Sequence, residues 1–584
     1  MMNFIYMVLP SFVTFSSALS FRPCPLLGPA FPPFSLNAND DTVANALQNL
    51  TETFDNMIAT NTGSHGDVSP NTTFSIALFS TDRGTAEDEA FFWQYHHTSP
   101  ALNQSLIGSR TASKDSIYRI GGLTEAFTVW SLLLTGDGDQ ILDDPITKYL
   151  PELVNGTADQ YHIRHVTWDE ITVGQLASHM SGVARDYCSK DVTLETGPGI
   201  TPSQDIHKPC CGNGPKCGSD EFLQYLANQA PVAPPGVTPS YSNMAFQLLG
   251  YIVARRAGQP FGEVLQRDIF DVLGLTETSI FAPVNSSAGI IPTSKEASGW
   301  LAHHGGDEAS TSIFSTVKDL SIAGQAILNS TLLDRSTTNR WFKPVSHTSN
   351  PANSIGLPWV IYSGGSYPNT SMVDVYTILS NEGYKEGLYS SYLGLVPDFG
   401  VGFAILSADT ETPADLNAHA DVIGDVILGA LMTTATKQAG ENFGGAYKTA
   451  SSSTNLNSSI TVEYDDLPGL YIEEFINNGT DFRETLAEVL GIETPADLSI
   501  RLYPTQLEEE EQGSGAGSRQ AFRAVFQDKT ELADNGTPTC VSWLNIDKYR
   551  YGGRALDEFI FSQDQSGRAA SVEIPALRVA LRRG

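Results

Sequence analysis

Basic residues are scarce in this sequence. Its 584 residues hold 34 Lys and Arg against 66 Asp and Glu, a formal net charge of −32. Such a surface repels phosphate backbones and anionic lipid, which argues against a nucleic-acid partner and against electrostatic attachment to a membrane. Charge is missing altogether from the first residues, MMNFIYMVLPSFVTFSSALS. No glycine-rich phosphate loop and no His-Glu-x-x-His pair occurs, so the sequence predicts no cofactor and no metal site. Long low-complexity tracts are also missing. With 41% apolar residues the chain can build two or three cores. Cysteine is rare, at six residues.

What is present points to the secretory route. The uncharged run over 1–20 has signal-peptide length, and Ala18-Leu19-Ser20 offers a small-x-small cleavage site before Phe21. Pro10 speaks against a membrane anchor. No other stretch is expected to form a 20-residue apolar span, so the sequence predicts no stable membrane insertion. The predicted location is outside the cell or in the lumen of the secretory pathway. An even count of Cys24, Cys188, Cys210, Cys211, Cys217 and Cys540 then predicts disulfides. Four of them lie within 188–217, but adjacent Cys210 and Cys211 do not converge easily on one tetrahedral zinc. Asn-x-Ser/Thr acceptors occur at Asn49, Asn71, Asn103, Asn155, Asn285, Asn329, Asn369, Asn457, Asn478 and Asn535, which predicts a glycoprotein.

Hydrophobic periodicity orders the rest. Residues 21–100 form an N-terminal segment with a helix near Leu47–Met57 and strands at 74–80 and 91–97. A main domain is predicted over 101–436. Its helices are expected at Leu123–Leu134, Val173–Met180 behind a Thr172 N-cap, Asp220–Gln229, Met244–Ala257, Phe261–Ile269, Ser312–Ile327 and Asp415–Thr436. Strands are expected at 356–364 and, as a pair joined at Pro397-Asp398, over 390–408. Residues 437–458 are polar and rich in Gly, Ser and Thr, a linker candidate. Residues 459–584 carry repeated strand signals and no catalytic motif, so a small mostly-β support or partner-binding domain is expected there.

Three stretches carry chemistry. The first is Gly121-Gly122-Leu123-Thr124-Glu125-Ala126-Phe127-Thr128, at the start of a helix. The second is Tyr241-Ser242-Asn243, preceded by a Thr172/Leu176/His179/Ser181/Gly182 pattern. The third is Asn381-Glu382-Gly383. Together they resemble the serine β-lactamase and penicillin-binding protein superfamily, nearest its class C branch, across about 300 residues. The resemblance implies an α/β (α+β), β-lactamase/transpeptidase-like fold, with an antiparallel sheet and a helical subdomain. It also implies a fungal secreted protein with a C-terminal extension, of a kind associated with secondary metabolism. In the family the first motif reads Gly-Ser-x-Thr/Ser-Lys; here Gly122 stands at the nucleophile and Glu125 at the lysine. The Tyr-Ser-Asn motif is retained. Asn381 stands where Lys or His is usual.

This pattern removes the family's acyl-enzyme route, because Gly122 has nothing to acylate and a carboxylate does not generate an alkoxide. Positions 122 and 125 lie one helical turn apart and face one cleft. The expected chemistry is therefore acid/base. Glu125 acts as base and Tyr241 as donor to a developing oxyanion, with Gly122, Asn243, Asn381 and Glu382 as substrate contacts. The substrate class is a small carbonyl-containing molecule undergoing isomerisation, cyclisation or dehydration. A pseudoenzyme that binds a ligand or partner is one alternative; a hydrolase using another serine is the second. By that resemblance Ser181, Ser242 and His179 read as structural, whereas Ser116 sits before a strand and its side-chain direction is left open. A buried Glu125 turned towards Tyr241 favours catalysis; a cleft filled by Tyr384 or Tyr389 favours the pseudoenzyme.

Overall fold

The computed structural model describes residues 21–584 apart from 37–39, 83–89, 137, 156–162, 188–217, 228, 303–307, 364–372, 381–386, 450–456, 511–516 and 531–539. The predicted leader over 1–20 and the cysteines Cys188, Cys210, Cys211 and Cys217 therefore lie outside the described residues. The chain divides into two compact units. One comprises Pro33–Gly365 and Met372–Thr434; the other comprises Met1–Pro32, Ser366–Ser371 and Ala435–Gly584.

The larger unit is built on an eight-stranded antiparallel sheet. In chain order its strands are β1 (Thr73–Ser80), β2 (Trp93–His97), β5 (Ser346–His347), β6 (Asn353–Ile355), β7 (Val360–Ser363), β8 (Asp374–Ser380), β9 (Tyr389–Val396) and β10 (Val401–Ala408). Two short strands outside it, β3 (Tyr118–Arg119) and β4 (Phe314–Ser315), pair with each other. The sheet order is β2-β1-β10-β9-β8-β7-β6-β5. Strands β1, β9 and β10 are buried along their whole length, so both sheet faces are covered. Strand alternation sorts their residues. Phe74, Ile76, Leu78, Tyr392, Phe403 and Ile405 enter one core with the helices Asp41–Thr60 and Asn417–Phe443. Ala77, Phe79, Leu393, Leu395, Ala404 and Leu406 enter the other, with Trp130 and the remaining helices.

Most predicted elements are found within a few residues, with three differences. The predicted helix Ser312–Ile327 starts only at Val317, after Thr316 caps it by accepting the Asp319 N–H at 3.0 Å. Phe314-Ser315 before it is strand, because its backbone pairs with Tyr118-Arg119. The predicted helix Asp415–Thr436 runs as Asn417–Phe443, and the strand Gly445–Lys448 follows, both inside the stretch read as a linker. By length and composition alone that helix suffices to cross a membrane, which corrects the expectation that no second such span exists. Half of its most apolar window is buried, and Val422, Ile423, Ile427 and Leu431 share a core with Phe74 and Ile405.

At the β9–β10 turn, burial chiefly, and then the like charge of Asp374, push the half-buried Asp398 carboxyl up to about 6, offset in part by Lys343. Because the folded state holds this proton more tightly than the unfolded chain, its contribution to stability is present below about pH 4 and is lost as pH rises through about 6. Asp398→Asn is thus expected to raise the thermal midpoint at pH 7, by the equivalent of about 1–2 kcal/mol, and to flatten the pH dependence of melting across that window.

The second unit is a β-barrel. Strands Gly445–Lys448, Ser459–Glu463, Leu470–Asn477, Leu498–Glu510, Ser518–Asp528, Glu558–Gln563, Ala569–Ile574 and Val579–Arg583 form its wall. Pairing of Ser459–Glu463 with both Gly445–Lys448 and Leu470–Asn477 closes the ring. Closure removes the free edges that the sequence pattern alone leaves open. Phe443, Phe522 and Phe561 stack edge-on inside. Residues near the start of the described chain belong here. Cys24 is bonded to Cys540, the Cys24 N–H donates to Gln527 Oε1 at 2.8 Å, and Ser542 Oγ donates to the Pro25 carbonyl at 2.8 Å. Cys540→Ser is expected to lower the unfolding midpoint of this unit, at a cost of about 2–5 kcal/mol, read by calorimetry.

The acceptor asparagines Asn49, Asn71, Asn103, Asn285, Asn329, Asn457 and Asn478 are exposed. Asn155, Asn369 and Asn535 fall outside the described side chains.

Candidate active site

The helix Thr124–Leu133 is entered through a 3-10 turn, Gly121–Leu123. Hydroxyls from the sheet hold that turn in place. Ser391 Oγ on β9 donates to the Ile120 carbonyl at 2.7 Å, and Ser380 Oγ at the end of β8 accepts the Gly122 N–H at 2.8 Å. Gly121 has φ +47°, which favours glycine at the bend. Every residue of the helix is buried, Glu125 included at 1% exposure. A carboxylate inside an otherwise uncharged, fully buried helix is the anomaly here, since burying charge is costly without compensation.

Glu125 meets His179. The His179 backbone is left-handed at φ 57°, which turns the ring inward after the short helix Val173–Ala177. Thr172 caps that helix as its sequence suggests, and Gln175 completes a capping box with it. His179 Nδ1 accepts the Ser242 N–H at 3.2 Å. That bond places the ring proton on Nε2, which lies 3.4 Å from Glu125 Oε2. Glu125 Oε1 has no hydrogen-bond partner among the described residues. On its other side the His179 ring packs against the Tyr241 ring, centroids 4.6 Å apart. Glu125 and Tyr241 are thus joined through His179.

Tyr241 is held by a second chain of contacts. Its hydroxyl donates to Asn243 Oδ1 at 3.2 Å, and Asn243 Nδ2 donates to the buried Asp186 Oδ1 at 2.7 Å. Arg185 Nε sits 3.3 Å from Asp186 Oδ2, and its guanidinium carbon lies 4.6 Å above the Tyr241 ring. The amide of Asn243 is engaged at both ends, so it orients Tyr241 where the sequence suggested a substrate contact. The Tyr241 hydroxyl also reaches the nucleophile position: a Cβ on Gly122 would lie 3.3 Å from it and 3.3 Å from Ser380 Oγ.

The structure therefore brings together Gly122, Glu125, Tyr241 and Asn243. Asn381, Glu382 and Tyr384 lie outside the described residues. Tyr389 is turned away into the core, its hydroxyl donating to the Ile290 carbonyl at 2.8 Å. The other serines have structural partners. Ser242 Oγ caps its helix by accepting the Ala245 N–H and donates to the Ala184 carbonyl. Ser181 Oγ accepts the Val183 N–H, and Ser116 Oγ accepts the Ser113 N–H. Sequence reasoning missed Ser380, Asp186 and Arg185. Period-2 alternation of Tyr376, Ile378 and Ser380 along β8 was a usable signal for the first of these.

An antiparallel sheet sandwiched between helical layers, with a helix start pinned against its strands and a Tyr-Ser-Asn turn beside it, defines a protein of the β-lactamase/transpeptidase-like fold. The chain belongs to the beta-lactamase family. The model of that family matches residues 88–427, and one described as "Beta-lactamase-like-like, C-terminal domain" matches 435–584. A "Beta-lactamase-like protein" of Arthroderma benhamiae is 27% identical over 98% of both chains. "Probable hydrolase clz13" of Cochliobolus lunatus is 24% identical over 91% of this chain and 88% of its own. A solved class C beta-lactamase aligns with a TM-score of 0.48 at 14% identity, covering 67% of this chain and 98% of that one.

Proposed function

We propose that the protein is an enzyme that acts on a small carbonyl-containing molecule by acid/base chemistry, without an acyl-enzyme. The observation that carries this is Glu125: a buried carboxylate, one oxygen steadied by His179 Nε2 and the other without a partner among the described residues, one helical turn from Gly122. In this reading the unpartnered oxygen takes a proton from carbon next to the substrate carbonyl. The electron pair moves to the carbonyl oxygen, which becomes an enolate. Tyr241 then turns its hydrogen from Asn243 to that oxygen. Return of the proton elsewhere gives isomerisation; attack of the enolate within the molecule gives cyclisation; loss of a hydroxyl gives dehydration. The substrate is assigned to secondary metabolism and the site to a secreted glycoprotein.

The test is incubation of the purified protein with a fungal metabolite extract, followed by mass spectrometry. Depletion of one compound, with a product of equal mass or one water lighter, is the expected result. It should be absent with Glu125→Gln. A metabolite that co-purifies unchanged would replace this reading with a binding protein.

A further inference from the structure

The second unit holds a cavity of about 540 Å³, outside every motif that carries chemistry. It lies between the end of the helix Asn417–Phe443, the end of the strand Ser459–Glu463 and the turn that joins Glu558–Gln563 to Ala569–Ile574. Small-molecule sites fall at about 300–1,000 Å³. Tyr464 is its platform. The ring lies against the helix at Gly440, where a Cβ would come within 2.2 Å of Tyr464 Cδ1 and 2.4 Å of Cε1. The helix thus steadies a ring that is 48% exposed. Ser566 and Arg568 come from the turn, which Asp564 ties down. Asp564 Oδ1 accepts the Ser566 N–H at 2.8 Å, the Arg568 N–H at 3.2 Å and the Ser566 hydroxyl at 2.5 Å. The Arg568 guanidinium and the Glu441 carboxylate are exposed, and neither is hydrogen-bonded among the described residues. Arg583 differs. It donates to the Asn442 carbonyl at 2.8 Å, the Glu441 carbonyl at 3.2 Å and the Gly444 carbonyl, so its charge is taken up by the negative end of the helix.

We infer that this cavity binds a neutral sugar, a hexose unit of an oligosaccharide stacked on Tyr464. A pyranose ring offers an apolar face of C–H groups and a rim of hydroxyls. The face matches the half-exposed aromatic ring. The rim matches the polar groups. A hydroxyl both donates and accepts, so one kind of group satisfies Glu441, which only accepts, and Arg568, which only donates. An anion would suit Arg568 but face Glu441 and Asp564; a cation would suit Glu441 but face Arg568 and Arg583. Platform and turn are both held before a ligand arrives, which limits the ordering that binding must impose. The site stands whether or not the first unit turns over a substrate.

The probes are an array of neutral gluco-, manno- and galacto-oligosaccharides, with oligogalacturonates as the anionic arm, presented to the whole protein. The tightest binder is then titrated by calorimetry against wild type, Tyr464→Ala, Tyr464→Phe, Glu441→Ala and Gly440→Ala, and thermal melting checks each variant's fold. The expected result is that a neutral oligosaccharide binds and that Tyr464→Ala weakens it by about tenfold, the scale of a lost stacking ring. Tyr464→Phe keeps the platform and should bind as wild type does. Glu441→Ala should weaken binding by about threefold to tenfold, as loss of one hydrogen bond does. Gly440→Ala should weaken it too, because the added methyl displaces the Tyr464 ring. Failure of every neutral oligosaccharide to bind, or binding unchanged in Tyr464→Ala, overturns the sugar site. Binding of oligogalacturonates alone overturns it in favour of an anion site on Arg568.

Discussion

Glu125→Gln is expected to lower turnover by about 10²- to 10⁴-fold, the range that removal of a general base covers. Glutamine keeps the size of the side chain and can still set an oxygen opposite His179 Nε2, so the surrounding contacts survive. What is lost is the basic oxygen. The melting temperature should hold or rise, since the variant no longer buries a carboxylate with an oxygen that lacks a partner among the described residues. That opposition separates function from scaffolding. A structural carboxylate would leave activity alone and weaken the fold when changed. A base kept at a cost in stability does the reverse, and rate measurements beside calorimetry on the same preparations read both.

Asn243→Asp should be the most damaging conservative change in the site. The Asn243 amide nitrogen lies 2.7 Å from Asp186 Oδ1 and supplies a buried carboxylate with a donor. Aspartate replaces that donor with an acceptor and sets two carboxyl groups against each other in a buried place. Losing a hydrogen bond to a buried charged group and facing it with a like charge costs about 3–5 kcal/mol. The half-exposed Arg185, 3.3 Å from Asp186 Oδ2, should absorb part of it, leaving about 2–4 kcal/mol. The deficit should shrink as pH is lowered enough to protonate one of the two carboxyls, a result that denaturant titrations at several pH values would show. Activity should fall as well, because a carboxylate would hold the Tyr241 hydrogen more tightly than the amide oxygen does and oppose its turn towards the substrate.

Local signals carried much of the larger unit. Apolar spacing placed the helix around Phe127 and Trp130, the Thr172 cap gave the start of the next, and the burial of β1, β9 and β10 matches their apolar runs. The pairing of Glu125 with Gly122 was legible because residues three apart share a helix face. The approach of His179 was not, since it depends on a left-handed residue far away in sequence. Ser380 was hidden by motif alignment: the register was anchored on Asn381-Glu382-Gly383, the residues after it. In the second unit the glycines around Gly444 and Gly445 read as linker, although Gly445–Lys448 is a wall strand completed by partners from Ser459–Glu463 and Val579–Arg583. Such closure is set by contacts between distant segments and leaves no local trace. The same holds for the Cys24–Cys540 bond, 516 residues apart, which spacing could not select among the connectivities of six cysteines.

The central claim is that chemistry here proceeds without a serine acyl-enzyme, and intact-mass spectrometry after treatment with a fluorophosphonate tests it most directly. The account predicts no adduct on the native protein under conditions that fully label a serine hydrolase run alongside. A stoichiometric adduct, mapped to any serine and lost on denaturation before treatment, would contradict it and restore hydrolysis through a nucleophile elsewhere in the site.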